Sequence, residues 1–314
     1  MITKVQPNQK QTRPPTVTFR PGTLADSFTV YKIFEQTILD LSERFGQETI
    51  SGGQEEAALR RLWNKRRPLF EHLAETAAHF WLAERDGQAI GYARSVMRGK
   101  LQELTEFFVL PGEQSVGVGR ELLKRAFPDV GAEQRAIVAT PDSRALVRYL
   151  KAAVYPRFPI GYFSRPVQVR TVTTDLTIRP IEGSAADLTA LGRLDKIILG
   201  HQRDVDQAWL LAQRQGYLYT RAGEAVGYGY VGANSGPFAL LDERDFSAVL
   251  AHAESEAAVR GLDFGVEVPL INRVAVDYLL SHGYRMEPFI TLFMSDVPFG
   301  KFENYILPSP PFFV

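Results

Sequence analysis

Apolar positions in this chain recur with two periods, and the switches between them mark out its elements. Residues 17–20 alternate apolar and polar, which predicts a short strand. Helical spacing takes over across residues 24–45 and again across 54–76, predicting two helices split at Gly52-Gly53. Alternation returns over 79–85 and 89–97, and the Asp86-Gly87 dipeptide between them is a strong hairpin signal. A further strand over 102–110 is stopped by Pro111-Gly112. Leu122, Leu123, Ala126 and Phe127 then recur at helical spacing up to Pro128, which ends that helix. After a strand at 135–139, Pro141-Asp142-Ser143 opens a helix that carries Ala145, Leu146, Tyr149, Leu150 and Ala153 on one face. A last strand covers 158–163. Hairpin strands mixed with strand–helix crossovers predict an α+β fold, a mixed and mostly antiparallel sheet flanked by helices.

The same order of signals then starts again. Thr18-Phe19-Arg20-Pro21 is echoed by Thr177-Ile178-Arg179-Pro180, and Arg85-Asp86-Gly87-Gln88-Ala89-Ile90-Gly91-Tyr92 by Arg221-Ala222-Gly223-Glu224-Ala225-Val226-Gly227-Tyr228. Two matches in one order predict a single unit used twice. The division expected is a disordered arm at 1–15, a first domain at 16–168 and a second at 174–314.

Composition narrows the chemistry. The 314 residues carry 36 Lys and Arg against 36 Asp and Glu. That balance argues against nucleic acid or an anionic membrane surface as the main partner. The absence of cysteine excludes disulfides, thiolate metal sites and a cysteine nucleophile. No apolar run approaches the roughly 20 residues of a membrane span, and residues 1–15 are polar, so a cytoplasmic protein is expected. Five histidines show no ligand spacing, and no metal is predicted. The basic cluster Arg60, Arg61, Lys65, Arg66 and Arg67 reads as a solvated helix face, with contact to an acidic substrate or partner as the alternative. The apolar tail at 305–314 is expected to dock on its own chain.

The informative stretch runs from Phe107 to Leu123: a buried strand, a turn, a loop with glycines two apart, and an amphipathic helix. A helix start offers unpaired N–H groups and partial positive charge, and Gly117 and Gly119 let an anion approach the backbone. Such glycines also serve packing alone, so the pattern by itself is weak.

Val109-x-Pro111 followed by Gln114-x-x-Gly117-x-Gly119 resembles the acyl-CoA signature of the GNAT superfamily of N-acyltransferases, and the order of elements over 17–166 is similar to that family's. The resemblance implies that the cofactor pyrophosphate sits on the amides of Gln114, Ser115, Val116, Gly117, Val118, Gly119 and Arg120. It also implies that the pantetheine arm pairs with the backbone of Phe107, Phe108 and Val109. Asp142-x-x-Ala145-x-x-x-Tyr149 is similar to the helix whose tyrosine protonates the leaving thiolate in this family, with Asp in place of its usual Asn. A phenol of ordinary pKa about 10 is protonated at neutral pH and can do this. Tyr149 equally fits the apolar stripe of its helix.

An amine of pKa about 10.4 is mostly charged at pH 7, so a base is useful. Glu103 and Glu106 lie on the strand before the signature, and strand alternation places them on opposite faces. Glu103 stands where histone-type members of the superfamily carry their base, although a solvated strand carboxylate is the alternative for each.

In the second unit, Asn272-x-x-Ala275 keeps the last helix, but the tyrosine position falls on Leu279, and the loop region 237–246 has no glycine and three carboxylates against one arginine. Acid there would repel a diphosphate. The expectation is therefore a tandem GNAT protein with one working site, in the first half. It would acetylate a primary amine of a small molecule from acetyl-CoA, by direct attack within a ternary complex. A non-catalytic acyl-CoA sensor and a peptide or protein N-acetyltransferase are the alternatives, and oligomerisation stays open.

Overall fold

In a computed structural model of the chain, residues 16–46, 56–114 and 117–314 are described. The arm at 1–15, the break at Gly52-Gly53 and loop residues Ser115 and Val116 lie outside them.

The first half runs β1 (Val17–Pro21), α1 (Ser27–Arg44), α2 (Glu56–Glu75), β2 (Ala77–Arg85), β3 (Gln88–Arg98), β4 (Leu101–Val109), α3 (Val118–Ala126), β5 (Gln134–Ala139), α4 (Ser143–Lys151) and β6 (Tyr155–Arg165). The second half repeats the order with β7 (Thr177–Pro180), α5 (Ala185–Ile198), α6 (Asp204–Gln213), β8 (Gln215–Arg221), β9 (Glu224–Val231), β10 (Phe238–Leu240), α7 (Phe246–Val259), β11 (Phe264–Pro269), α8 (Arg273–Ser281) and β12 (Arg285–Ser295), then adds β13 (Tyr305–Ile306). This is the mixed α+β architecture with two similar units.

Local chemistry explains the repetition. Asp86-Gly87 turns the β2–β3 hairpin with φ of 51° and 76°, and Ala222-Gly223 turns β8–β9 with 50° and 84°. Two successive left-handed residues match the twist of the flanking strands. Asp142 accepts from the Arg144 amide to cap α4, and Asn272 accepts from the Ala275 amide to cap α8. Both helices close alike, with Val154 N–H donating to Tyr149 O and Tyr284 N–H to Leu279 O, each at 3.0 Å. Leu279 thus holds the place of Tyr149. Ala153, read as part of the α4 stripe, instead follows the helix at φ 60°, and its counterpart Gly283 stands at 80°.

Sheet topology joins the halves. One sheet has the order β1-β2-β3-β4-β5-β12-β6-β11, and the other β13-β10-β9-β8-β7. Strand β12 of the second half lies between β5 and β6 of the first, and β6 lies between β12 and β11. Each half therefore lends its last strand to the other. At this seam Phe158 stacks on Phe293, with ring centres 4.9 Å apart, and both are buried. A second seam is polar and buried: Asp206 of α6 accepts from Arg98 Nε (2.5 Å) and meets His72 Nε2 (2.7 Å). The tail docks on its own chain, with Leu307, Phe313 and Val314 buried. No helix among the described residues is long and apolar enough to cross a membrane.

Candidate active site

Strands β4 and β5 pair in parallel only from Leu101↔Gln134 to Leu104↔Ile137. The next residue, Thr105, is an extra one: against β3 the register passes from Ser95↔Leu104 to Arg94↔Glu106. A bulge kinks its strand and strengthens the local twist, so β4 parts from β5 at this point. Beyond it, the Glu106–Val109 stretch of β4 borders a cavity of about 1300 Å³. This volume exceeds the roughly 300–1,000 Å³ of a typical small-ligand pocket, leaving room for two substrates side by side.

The bulge also corrects the expected parity of two glutamates. Glu103 opposes Val96 and Glu106 opposes Arg94, and residues two apart on β3 share a face. Both carboxylates therefore project toward α1 and α2. Glu106 lines the cavity, but Arg94 Nε donates to its Oε2 (2.6 Å) and Tyr92 OH to its Oε1 (2.8 Å). Glu103 is buried away from the cavity wall, and its Oε2 accepts from the Val314 amide (2.9 Å). Burial pushes its carboxyl up to about 8, with the Val314 amide pulling the other way. The structure thus does not bring Glu103 together with the other predicted site residues.

The start of α3 faces the same opening. Gly117 caps the helix at φ 85°, a left-handed conformation that strains any side chain. The helical ladder begins with Glu121 N–H donating to Gly117 O (3.1 Å), so the amides of Val118, Gly119 and Arg120 precede it and have no partner within the helix. Val118 offers its amide alone, because its side chain is buried in the core. At Gly119 a Cβ would stand 3.1 Å from Phe107 Cζ and 3.5 Å from Arg148 Nε, so this glycine serves packing as well as access. Gln114 Nε2 donates to Val109 O (2.9 Å), tying the loop to the end of β4.

Two cations stand at this helix end. Arg120 is largely exposed, and its nearest carboxylate, on Glu121, is 3.8 Å away. Arg148 of α4 lies against Gly119 and lines the cavity, with no ion pair among the described residues. Arg148 was not singled out from the sequence, where it reads as one more helix surface charge. Of the basic cluster on α2, Arg60 and Arg67 pair with Glu56 and Glu71 on the exposed surface, each at 2.8 Å, while Arg66 reaches the cavity.

Tyr149 is buried on α4 and lines the cavity, its ring 6.2 Å from that of Phe107. Burial, and then the negative charge of Asp142, raise its phenol above the ordinary 10. Around Asp142 burial opposes ionisation, but hydrogen bonds from the Arg144 side chain and amide and from Arg44 outweigh it and hold the carboxyl at about 2. Phe108 points to the opposite face of β4, where it meets Phe34 of α1 with ring centres 5.3 Å apart. Both phenylalanines and Val109 line the cavity.

In the second half the equivalent gap is filled. Strand β13 pairs with β10 (Phe238↔Ile306, Ala239↔Tyr305), and Leu307 N–H donates to Glu267 O of β11 (3.0 Å). The chain's own tail thus lies between β10 and β11, where the first half leaves β4 and β5 apart. At the helix start that matches α3, Asp242 accepts from the Arg244 amide, and Asp245 is paired with Arg221 (2.8 Å). Past β13 the tail crosses to the first half, where Ser309 to Phe312 line the cavity together with Glu267, Glu287 and Tyr162. These acidic positions also escaped sequence reasoning, because a lone carboxylate on a strand carries no local signal. Among the described residues no group of His, Asp or Glu is placed to hold a metal ion.

Residues 40–152 match the family model described as the acetyltransferase (GNAT) family. No curated protein matches the chain in sequence. Among solved structures, a putative acetyltransferase from Pyrococcus horikoshii superimposes with a TM-score of 0.68 at 14% identity, over 96% of this chain and 97% of that one. A GCN5-related N-acetyltransferase from Sphaerobacter thermophilus gives 0.57 at 16% identity, over 90% and 96%. A tandem GNAT protein from the clavulanic acid biosynthesis pathway gives 0.57 at 13%, over 90% and 99%. At these identities the likeness is one of fold.

Proposed function

We propose that this chain, whose residues 40–152 match the acetyltransferase (GNAT) family model and whose fold is that of a tandem GNAT protein, transfers an acetyl group from acetyl-CoA to a primary amine of a small molecule. The open β4 edge above the unpaired amides of α3 carries this reading. Those amides, with Arg120 and Arg148, suit a diphosphate: N–H donors, partial positive charge and two guanidiniums converge on one helix end. Phe107 to Val109 offer backbone groups to an extended amide-bearing arm, in the manner of an added strand. Bound acetyl-CoA supplies an activated thioester.

The protein's share is to hold that thioester at the β4–β5 gap, exclude water and supply a proton. Tyr149 is the proton donor to the leaving sulfur. It lines the cavity, and burial keeps its phenol protonated through the neutral range. With no cysteine in the chain, the neutral amine attacks the thioester carbonyl directly, without a thiol-bound acyl-enzyme. C–N forms as C–S breaks, Tyr149 gives its proton to the sulfur, and the proton shed by the amine restores the phenol.

Calorimetric titration with coenzyme A, paired with acetyl-CoA-dependent thiol release over an amine panel, tests this. Tyr149→Phe is expected to bind coenzyme A like the parent and to lose about 10²-fold or more in kcat. Undiminished turnover in that variant would remove Tyr149 as the acid, and no coenzyme A uptake by the parent would end the reading.

A further inference from the structure

The cavity's arginines belong to one half, where Glu106 and Asp142, two of that half's three described lining carboxylates (the third is Glu35), are held by arginines. The arginines that line it, Arg44, Arg66, Arg144 and Arg148, all come from α1, α2 and α4 of the first half. At the other side stand two carboxylates of the second half, Glu267 on β11 and Glu287 on β12. Residues 287–289 are placed there by a break in the ladder: β12 pairs with β6 at Met286↔Phe163 and resumes at Ile290↔Gly161. Glu267 stands opposite Tyr162 across the β11–β6 pair. Among the described residues no lysine or arginine pairs with either carboxylate. Glu267 receives one long hydrogen bond, from Ser309 Oγ at 3.5 Å, and Glu287 one from Ser164 Oγ at 3.4 Å. Burial pushes the Glu267 carboxyl up to about 7, the Ser309 hydroxyl pulling slightly down. Glu267 is half-buried and Glu287 exposed, and a partly desolvated carboxylate without a counter-charge is costly, a cost that an entering cation relieves.

Position decides what kind of cation. From β5 the sheet order runs β12, β6, β11. Three inter-strand steps of about 4.8 Å put Glu267 on the order of 14 Å from the β4–β5 gap. At that distance its carboxylate cannot touch the nitrogen that attacks at the gap, but it can hold a second charged group at the far end of the same molecule. We propose that the acceptor is an elongated amine with a second cationic centre, and that Glu267, contributed by the half that lacks a cofactor loop, binds that distal cation beside Glu287 and the Tyr162 hydroxyl. This rests on the acetyl transfer proposed above and adds the class of acceptor and a specificity-determining residue to it.

The test compares straight-chain monoamines with α,ω-diamines of matched length, from three to twelve carbons, as acceptors for acetyl-CoA. For the parent protein, diamines long enough to span the gap are expected to show a KM about tenfold or more below that of the matching monoamine. In Glu267→Gln that advantage disappears, while KM for acetyl-CoA and calorimetric coenzyme A affinity stay put, which also shows that the variant is folded. Glu267→Asp keeps part of it. Equal use of mono- and diamines, or an advantage that survives in Glu267→Gln, overturns the inference and leaves acetyl transfer standing. Coenzyme A uptake without thiol release from any amine overturns the cationic acceptor but not the cofactor site. Failure to take up coenzyme A at all overturns both.

Discussion

Gly117 and Gly131 form a matched pair for testing whether the start of α3 is a phosphate cradle. Both backbones are left-handed, at φ 85° and 88°. A Cβ at Gly131 would meet nothing within 4 Å, and one at Gly117 only Arg120 Nη2 at 3.9 Å. Valine at either position therefore costs the left-handed strain and little else, about 1–2 kcal/mol. Urea denaturation should show similar losses for the two variants. Their ligand behaviour should diverge, because only Gly117 borders the amides of Val118, Gly119 and Arg120 that precede the helical ladder. Hydrogen bonds to a charged group are worth about 1.5–3 kcal/mol each, so losing two costs about 3 kcal/mol or more. That is a factor of about a hundred in Kd. Calorimetric titration with coenzyme A is expected to weaken by that order in Gly117→Val and to stay near the parent value in Gly131→Val. Equal affinity in the two variants would mean that the glycine serves only the turn, and the phosphate assignment would fall.

The repeat supplies its own control for backbone strain. Ala153→Gly relieves the φ 60° alanine after α4 and should stabilise the protein by about 1 kcal/mol, while Gly283→Ala imposes the same strain after α8 and should cost a similar amount, both read from chemical denaturation. A pH series tests the burial of Glu103. Its carboxyl is raised from the ordinary 4.5 to about 8, so the folded chain holds this proton more tightly than the unfolded one. The contribution is whole below about 4.5 and is lost as pH climbs through 8. Glu103→Gln carries no such loss, so its stability relative to the parent should rise by up to a few kcal/mol between pH 5 and pH 8. Parallel curves would show that Glu103 is solvated.

Much of this architecture was legible because it is local. The Asp86-Gly87 turn, its Ala222-Gly223 echo and the capping residues Asp142 and Asn272 fix backbone geometry within a few residues, and the structure reproduces their register down to Tyr149 and Leu279. What escaped is non-local. Thr105 has nothing in its identity that marks a bulge, yet one extra residue reverses the facing of Glu103 relative to Glu106. Strand β6 reads as the last strand of its own half, and an alternating pattern does not name its neighbour, here β12 of the other half. Arg148 matters because α4 lays it against Gly119, and Glu267 because the tail closes over it. Neither setting leaves a trace in the residues next to them.

The tail explains how one half stays open while the other does not. Both halves part their fourth and fifth strands, which exposes backbone N–H and C=O groups that must find partners. In the second half β13 supplies them, bonded to β10 on one side and β11 on the other. The same segment then runs to the first half, where Phe312 sets its ring 5.6 Å from Phe34 and 6.3 Å from Phe70 and so builds part of the cavity wall. Closing one groove and shaping the other are thus done by one run of residues. With β6 and β12 already exchanged, neither half is complete without strands of its twin. The second half is therefore still required: it fills the strand position between β5 and β6, and it furnishes Glu267 and Glu287 to the cavity wall.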